Sequence, residues 1–234
     1  MKIVEDGNCE ILFDSPNSLF QALSREQKDE MMKKIVCSKY KKGEIIFNEG
    51  EEPAGLVCLT QGKVKLFKKG VGGKEHIVRL ARPNGLLGYR AIFAAEKSQA
   101  TAVAMEESII CVLDKDYLFN MLENNGKLAL SFVKVLAKEL GFVYSRTITL
   151  TQKHIRGRLA ETLMFLLDFY GFEEDGQTIK AILLREDLAK LSNMTTSNAI
   201  RTLSAFANEG LLELKGKKIK LLKLVDLEKI STQG

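Results

Sequence analysis

The stretch Leu183–Leu222, LLREDLAKLSNMTTSNAIRTLSAFANEGLLELKGKKIKLL, decides the reading of this chain. Leu188, Ala189 and Leu191 give a short helix over 185–191 one apolar stripe, and the small Ala189 allows a second helix to cross closely. Ser192-Asn193 interrupts the pattern, and Asn tolerates the left-handed backbone that such a turn requires. Thr195 or Thr196 can cap the next helix through its side-chain oxygen. Ala199, Ile200, Leu203 and Phe206 recur at helical spacing and are expected to face the core. Gly210 is a natural stop. Leu211–Leu214, a turn at 215–218 and Ile219–Leu222 then form a two-stranded wing. Two helices, a tight turn and a wing are the parts of a winged helix-turn-helix, whose second helix enters the major groove of DNA.

On that layout Thr195, Thr196, Ser197, Asn198 and Arg201 lie toward the outer, N-terminal side of the second helix. Arg201 can take guanine bidentately, and Asn198 can meet adenine or a phosphate. Lys217 and Lys218 at the wing tip suit the phosphate backbone. Residues 195–220 carry five basic side chains against two acidic ones, an excess fit for a polyanion.

The rest of the chain supports a second domain. Its 234 residues, 45% apolar and 28% charged, describe a soluble globular protein of one large or two ordinary domains. The net charge of +5 permits a nucleic-acid partner without demanding one. There is neither a membrane-spanning apolar run nor a signal-peptide core, so a cytoplasmic location and no membrane partner are expected. Residues 1–23 read as irregular, with a turn at 14–17. Ser24 with Gln27 forms a capping box for a helix reaching about Val36. Short β-type runs follow at Glu44–Phe47, Leu56–Thr60, Lys63–Lys68, His76–Leu80, Thr101–Met105 and Ser108–Leu113, punctuated by glycines, which suggests a barrel or jelly roll. Asp114 caps a short helix to about Glu123.

A long helix without proline then spans 127–152. Val133, Leu136, Leu140, Val143, Thr147 and Leu150 follow the 3-4 spacing of a coiled-coil seam, the expected dimer interface. Phe132, Val135 and Glu139 form a second stripe that can face the β domain. Residues 149–153 are the expected hinge, and a helix from about His154 to Tyr170 leads through the acidic loop Glu173-Glu174-Asp175-Gly176 into the reader. The fold class is α+β: an N-terminal cyclic-nucleotide-binding-like β-roll (jelly roll) over 1–126, a long dimerisation helix with hinge over 127–152, and a C-terminal winged helix-turn-helix over 153–234.

This order resembles the Crp–Fnr family of bacterial transcription regulators. The resemblance rests on Lys42-Gly43-Glu44 with Asn48-Glu49-Gly50, on Ile155-Arg156-Gly157-Arg158-Leu159-Ala160, and on Leu188-Ala189 through Arg201-Thr202-Leu203. It implies a homodimer on a palindromic double-stranded DNA operator, with RNA polymerase as a protein partner. Two readers in such a dimer stand about one helical turn, roughly 34 Å, apart. In cyclic-AMP-binding members a Glu takes the ribose hydroxyl and an Arg takes the cyclic phosphate. Here Gly88-Tyr89-Arg90 and Ser98-Gln99-Ala100 stand at those places, so both clamps are absent and no response to cyclic AMP is expected. Any effector is unknown; its pocket would be bordered by Tyr89, Arg90, Ser98, Gln99 and Tyr144, although Arg90 can equally point to solvent. The acidic residue that precedes the shared Arg in many recognition helices is also missing, since Thr196-Ser197 precede Arg201.

No cofactor or metal is expected. Cys9, Cys37, Cys58 and Cys111 are far apart in sequence with no CxxC, and Cys58 and Cys111 read as buried free thiols. The two histidines, His76 and His154, fall in different domains, and no nucleophile or phosphate-loop motif is present, so no catalytic residues and no enzyme are expected. A sensing adaptor acting on a protein partner, and a regulator with no small effector, remain as alternatives.

Overall fold

The structure, a computed structural model, describes residues 2–4, 9–15 and 18–233. The expected turn at 14–17 falls partly on Pro16 and Asn17, which lie outside the described residues. The chain divides into two compact units, Met1–Glu139 and Leu140–Gly234.

The first unit opens with β1 (Lys2–Ile3), α1 (Ile11–Asp14), a 3-10 turn (Leu19–Ala22) and α2 (Arg25–Lys34). Ser24 and Gln27 make the expected reciprocal capping box at the start of α2. That helix stops two residues short of the expected end. Ile35 and Val36 instead begin β2 (Ile35–Tyr40), because β-branched residues beside β9 gain a full ladder of pairing. β3 (Ile45–Phe47), β4 (Gly55–Gln61), β5 (Val64–Lys69), β6 (Glu75–Ala81) and β7 (Leu86–Leu87) follow. After α3 (Tyr89–Ala94), β8 (Thr101–Ala104) and β9 (Ser108–Asp114) complete the strands. α4 (Lys115–Asn124) starts where Asp114 accepts from the backbone of Asp116 and Tyr117. All six β-type runs read from the sequence are strands; β1, β2, β7, α1 and α3 were not legible there.

Two sheets make the roll, in the orders β1-β2-β9-β4-β7 and β3-β8-β5-β6. β4 is buried from Gly55 to Thr60, which explains its unbroken apolar run: the larger sheet is covered on both faces. Side chains alternate across a strand. Val57, Leu59 and Ile110 therefore enter the core shared with the smaller sheet. Leu56, Cys58, Cys111 and Leu113 face a second core, built with Leu12, Phe20, Met31, Leu118 and Phe132 from the helical segments.

α5 (Gly126–Gln152) is continuous, and the division between the two units falls inside it. Its Phe132 is 3% exposed in the helix-side core and Val135 packs against the same cluster. Glu139 meets Arg79 of β6 at 2.7 Å. The stripe expected to face the β domain does so.

The second unit continues with α6 (Ile155–Tyr170), α7 (Arg185–Leu191), α8 (Thr196–Asn208), β10 (Leu212–Lys215), β11 (Lys218–Leu221) and α9 (Leu224–Gln233). α9 packs against α6 through the fully buried Leu227, a helix the sequence reading did not anticipate.

Gly62 sits at φ +92° in the β4–β5 turn, where an added Cβ would run into Ser108 and the carbonyl of Glu107. Both the backbone and the space exclude a side chain. Gly62→Ala should lower stability by about 2 kcal/mol or more, read as a fall in denaturation midpoint; an unchanged midpoint would show that the turn relaxes freely.

Candidate nucleic-acid interface

The reader forms as its sequence directs. Asn193 takes φ +49° between α7 and α8, the left-handed turn expected of Ser192-Asn193. Thr195 is the N-cap, accepting from the Asn198 backbone at 3.2 Å. Leu188, Ala189, Leu191, Ala199, Leu203 and Phe206 are all buried. Each large apolar side chain among them contributes about 1.5–3 kcal/mol by leaving water. The turn is also held from outside: Ser192 donates to Thr162 of α6 at 2.8 Å, and Arg146 of α5 donates to the Leu191 carbonyl.

Ile200 departs from expectation. It is 48% exposed, and Thr202 is buried in its place. At 100° per residue the buried arc runs through 199, 202, 203 and 206, which leaves 200 on the opposite side. Ser197, Ile200, Arg201 and Ser204 therefore share one exposed face at i, i+3, i+4 and i+7 spacing. Ile200 was missed because an isoleucine at helical spacing reads as core. The signal that could have found it was the buried arc itself, centred on Ala199, Leu203 and Phe206.

Thr195, Thr196, Ser197 and Arg201 are exposed, as placed from the sequence, and Asn198 is half-buried. Arg201 donates to Asn198 Oδ1 at 2.6 Å. That bond occupies the Asn198 oxygen, so in this state Asn198 orients the guanidinium and does not offer the paired donor and acceptor needed to read adenine.

The wing is shifted by one residue from its expected span. Lys215 pairs with Lys218, leaving the two-residue turn Gly216-Lys217 with Gly216 at φ +58°. Arg185 at the start of α7 donates to the Gly216 carbonyl at 2.8 Å and so ties the wing tip to the first reader helix. Lys217 is exposed at the tip; Lys218 is exposed but ion-paired with Glu173 at 2.7 Å. The acidic loop thus lies against the wing. Its flanks add bridges Phe172–Ile179 and Thr178–Lys220. Asp175 accepts from the backbones of Gln177 and Thr178 and from the Thr178 hydroxyl, which together with nearby Lys220 lowers its carboxyl to about 2.

Behind the reader, Arg156 of α6 makes two 2.7 Å hydrogen bonds to Glu209, the C-cap of α8, and its guanidinium lies 4.8 Å from the Phe206 ring centroid. The expected hinge narrows to Lys153-His154, between the end of α5 and the start of α6. It is pinned: Glu161 accepts from Thr149 at 2.7 Å and pairs with Lys153, which also donates to the Ser231 carbonyl of α9.

Of the expected seam, Val133, Leu140, Val143 and Thr147 are exposed, while Leu136 and Leu150 are half-buried. Leu130 and Ile148 extend the exposed apolar surface of the helix. Thr147 donates its hydroxyl to the Val143 carbonyl.

The residues proposed to border an effector pocket have different surroundings. Tyr89 is 1% exposed, accepts from Arg79 at 2.6 Å, and has its phenol pushed up by burial. Arg90 is exposed and donates twice to Glu96, which also accepts from Gln99. Arg90 is therefore a surface residue, the alternative allowed for it above. Ser98 is buried, its backbone bonded to Glu51 and Gly50. Tyr144 is 62% exposed in the second unit. A cavity of about 190 Å³ does adjoin Tyr89, lined also by Leu12, Phe20, Arg79, Asn84 and Val135.

The cysteines correct the sequence reading most sharply. Cys37 and Cys111, paired residues on β2 and β9, are joined by a disulfide. Cys9 is buried beside them, 3.2 Å and 3.4 Å from their sulfurs. Cys58 remains a buried free thiol, as expected, but Cys111 does not. Strand pairing removes a sequence distance of 74 residues that no local motif could reveal.

Comparison with known proteins agrees with this geometry. Residues 37–125 match the cyclic nucleotide-binding domain and residues 157–230 the Crp-like helix-turn-helix domain. The chain belongs to the Crp–Fnr family. Family relatives include the CRP-like cAMP-activated global transcriptional regulator of Mycobacterium tuberculosis, 24% identical over 86% of this chain and 90% of that protein. The cyclic AMP receptor protein of Thermus thermophilus is 25% identical over 91% of this chain and 96% of its own. Among solved structures, FixK2 from Bradyrhizobium japonicum shares the fold with a TM-score of 0.75, at 20% identity over 84% of this chain and 96% of that one. As a Crp–Fnr protein the chain is a DNA-binding transcription regulator.

Two outcomes follow from the reader's supports. Removing the acceptor at the hinge with Glu161→Ala should cost about 1–3 kcal/mol, because the half-buried Thr149 hydroxyl and Lys153 ammonium lose their partner; denaturant unfolding of the full chain checks this, and an unshifted midpoint would mean the pair is solvated away. Asp175 should titrate at about 2 by NMR. Its folded value lies below the unfolded one near 3.9, so the stabilisation is complete above about pH 4 and is lost as pH falls toward 2. A titration near 4 would show that the Asp175–Thr178 turn is not formed.

Proposed function

We propose that this chain acts in the cytoplasm as a homodimer that reads a palindromic DNA site through α8 and does not respond to cyclic AMP. The observation that carries the reading is the exposed face of α8, where Ser197, Ile200, Arg201 and Ser204 surround an arginine already oriented by Asn198. Arg201 suits a guanine edge, and Ile200 suits the methyl of an adjacent thymine. Thr195, Thr196 and Ser197 at the open end of the helix meet phosphates or base edges, and Lys217 at the wing tip meets the backbone. Lys218 is a weaker contributor, since Glu173 already balances its charge.

Residues 1–126 serve as the sensing domain, 127–152 as the dimer helix, and 153–234 as the reader. Dimerisation uses the exposed seam of α5 at Val133, Leu140, Val143 and Thr147, with Leu136 and Leu150 at its edge. RNA polymerase is the protein partner of such a dimer on DNA.

Several features argue against a cyclic nucleotide. Tyr89 stands where a ribose acceptor would be required, and it is buried against Arg79. Arg90, the nearest cation by position, is committed to Glu96. Control by another small molecule, acting by shifting the population of two reader arrangements, remains consistent with the cavity beside Tyr89.

The test is selection from a random oligonucleotide pool with purified protein at physiological salt and no added ligand. A two-fold-symmetric enriched site is expected. On that site Arg201→Ala should cost about 1–3 kcal/mol and relax preference at one base pair per half-site. Equal loss on every sequence would make Arg201 a phosphate contact. Leu140→Asp should give monomers by sedimentation and abolish symmetric-site binding, whereas an intact dimer would move the interface elsewhere. Titration with cyclic AMP should give no saturable signal in the micromolar range.

A further inference from the structure

All four cysteines of the chain lie on or beside one face of the larger sheet of the roll. β2, β9 and β4 are neighbours, and Cys37, Cys111 and Cys58 are directly opposed across them. Paired residues of adjacent strands project to the same side, here the side of the helical core. Cys9 reaches that face from the turn before α1, anchored by the buried Leu12 and Phe13. The sulfurs of Cys9, Cys37 and Cys111 lie within 4.8 Å of one another, and the group contains no imidazole or carboxylate. Cys58 stands outside that group, its sulfur 3.9 Å from the Leu56 carbonyl. Cys9 and Cys37 each retain a small exposed edge, 5% and 6%, whereas Cys111 has none.

We propose that Cys9, Cys37 and Cys111, when reduced, form a three-sulfur site for one soft monovalent cation of the Cu(I) type. The donor set is the reason. Thiolates select soft metals, and structural Zn(II) almost always requires a fourth ligand, which this group does not contain. The cation and the Cys37–Cys111 bond compete for the same two sulfurs, so only one can be present. Opening that bond takes two electrons and two protons from a dithiol or phosphine reductant, which is itself oxidised, and yields two thiols. Each sulfur that binds the cation then releases its proton to solvent. The site is distinct from the DNA reader and from the face of α8, and its existence does not depend on either.

The experiment uses the full-length protein, reduced and desalted without oxygen, titrated against a chromophoric bicinchoninate–Cu(I) complex. One equivalent of Cu(I) should pass to the reduced protein and none to the oxidised protein, a comparison that needs no substitution. Cys9→Ala sits at the edge of the roll and should weaken binding by more than about 100-fold, since loss of outer-shell partners alone costs about 10–100-fold. Cys58→Ala should leave it unchanged. Failure of the reduced protein to take Cu(I) from the chelator would overturn the proposal, as would equal uptake by the oxidised protein or by Cys9→Ala. Preferential uptake of Zn(II) that requires Cys58 would replace the three-sulfur site by a four-sulfur one and so overturn it as stated.

Discussion

The larger sheet of the roll is buried on both faces, and most of the first unit follows from that constraint. A strand covered on both sides has no place for a polar residue, so β4 runs apolar from Leu56 to Leu59. The period of two then sorts side chains without ambiguity. Val57, Leu59 and Ile110 hold the two sheets together, and Leu56, Leu113 and the cysteines meet the helices. A register slip of one residue would exchange the two sets and would carry Cys37, Cys58 and Cys111 into the inter-sheet core. The same sheet sets the position of Phe132 and Val135, which seat the first part of α5.

Much of this was legible in the sequence because the signals are local. Alternation and glycine punctuation marked six strands, Ser24 with Gln27 marked a helix start, and Asp114 marked another. Elements whose formation depends on a distant partner were not legible. β2 exists because β9 lies beside it, and α9 because α6 offers a groove for Leu227. The cysteine cluster is the extreme case. Cys9, Cys37 and Cys111 look scattered until three segments, separated by up to 102 residues, are brought together.

The reader shows a subtler division. Its helices, turn and cap could be read residue by residue, since Asn193, Thr195 and Gly210 act through backbone geometry at their own positions. Its charge could not. Five basic residues in 195–220 suggest an open cationic wing, but Glu173 folds back onto Lys218, and the Asp175 turn holds Thr178 against Lys220. The wing's field is therefore narrower than its composition, with Lys217 as its exposed tip. Similarly Ile200 counts as core by composition and as surface by helical phase, and only the phase of its neighbours separates the two.

These local balances bear on how a reader of this kind can be switched. The turn between α7 and α8 is held by Ser192 on Thr162 and by Arg146 on the Leu191 carbonyl, so it is fastened to both α6 and the end of α5. Glu161 fixes the angle between those two helices by holding Thr149 on one side of the break and Lys153 at it. A change in the direction of α5 near residue 150 cannot be absorbed by a loose linker, because only Lys153 and His154 separate the helices. It must instead break the Glu161 contacts or carry the turn and α8 with it. Each contact is individually worth only about 1 kcal/mol, which lies within the range that binding energy at a second site can offset. The junction is thus stiff enough to transmit a rotation of α5 and weak enough to have a second arrangement, the two properties a population switch requires.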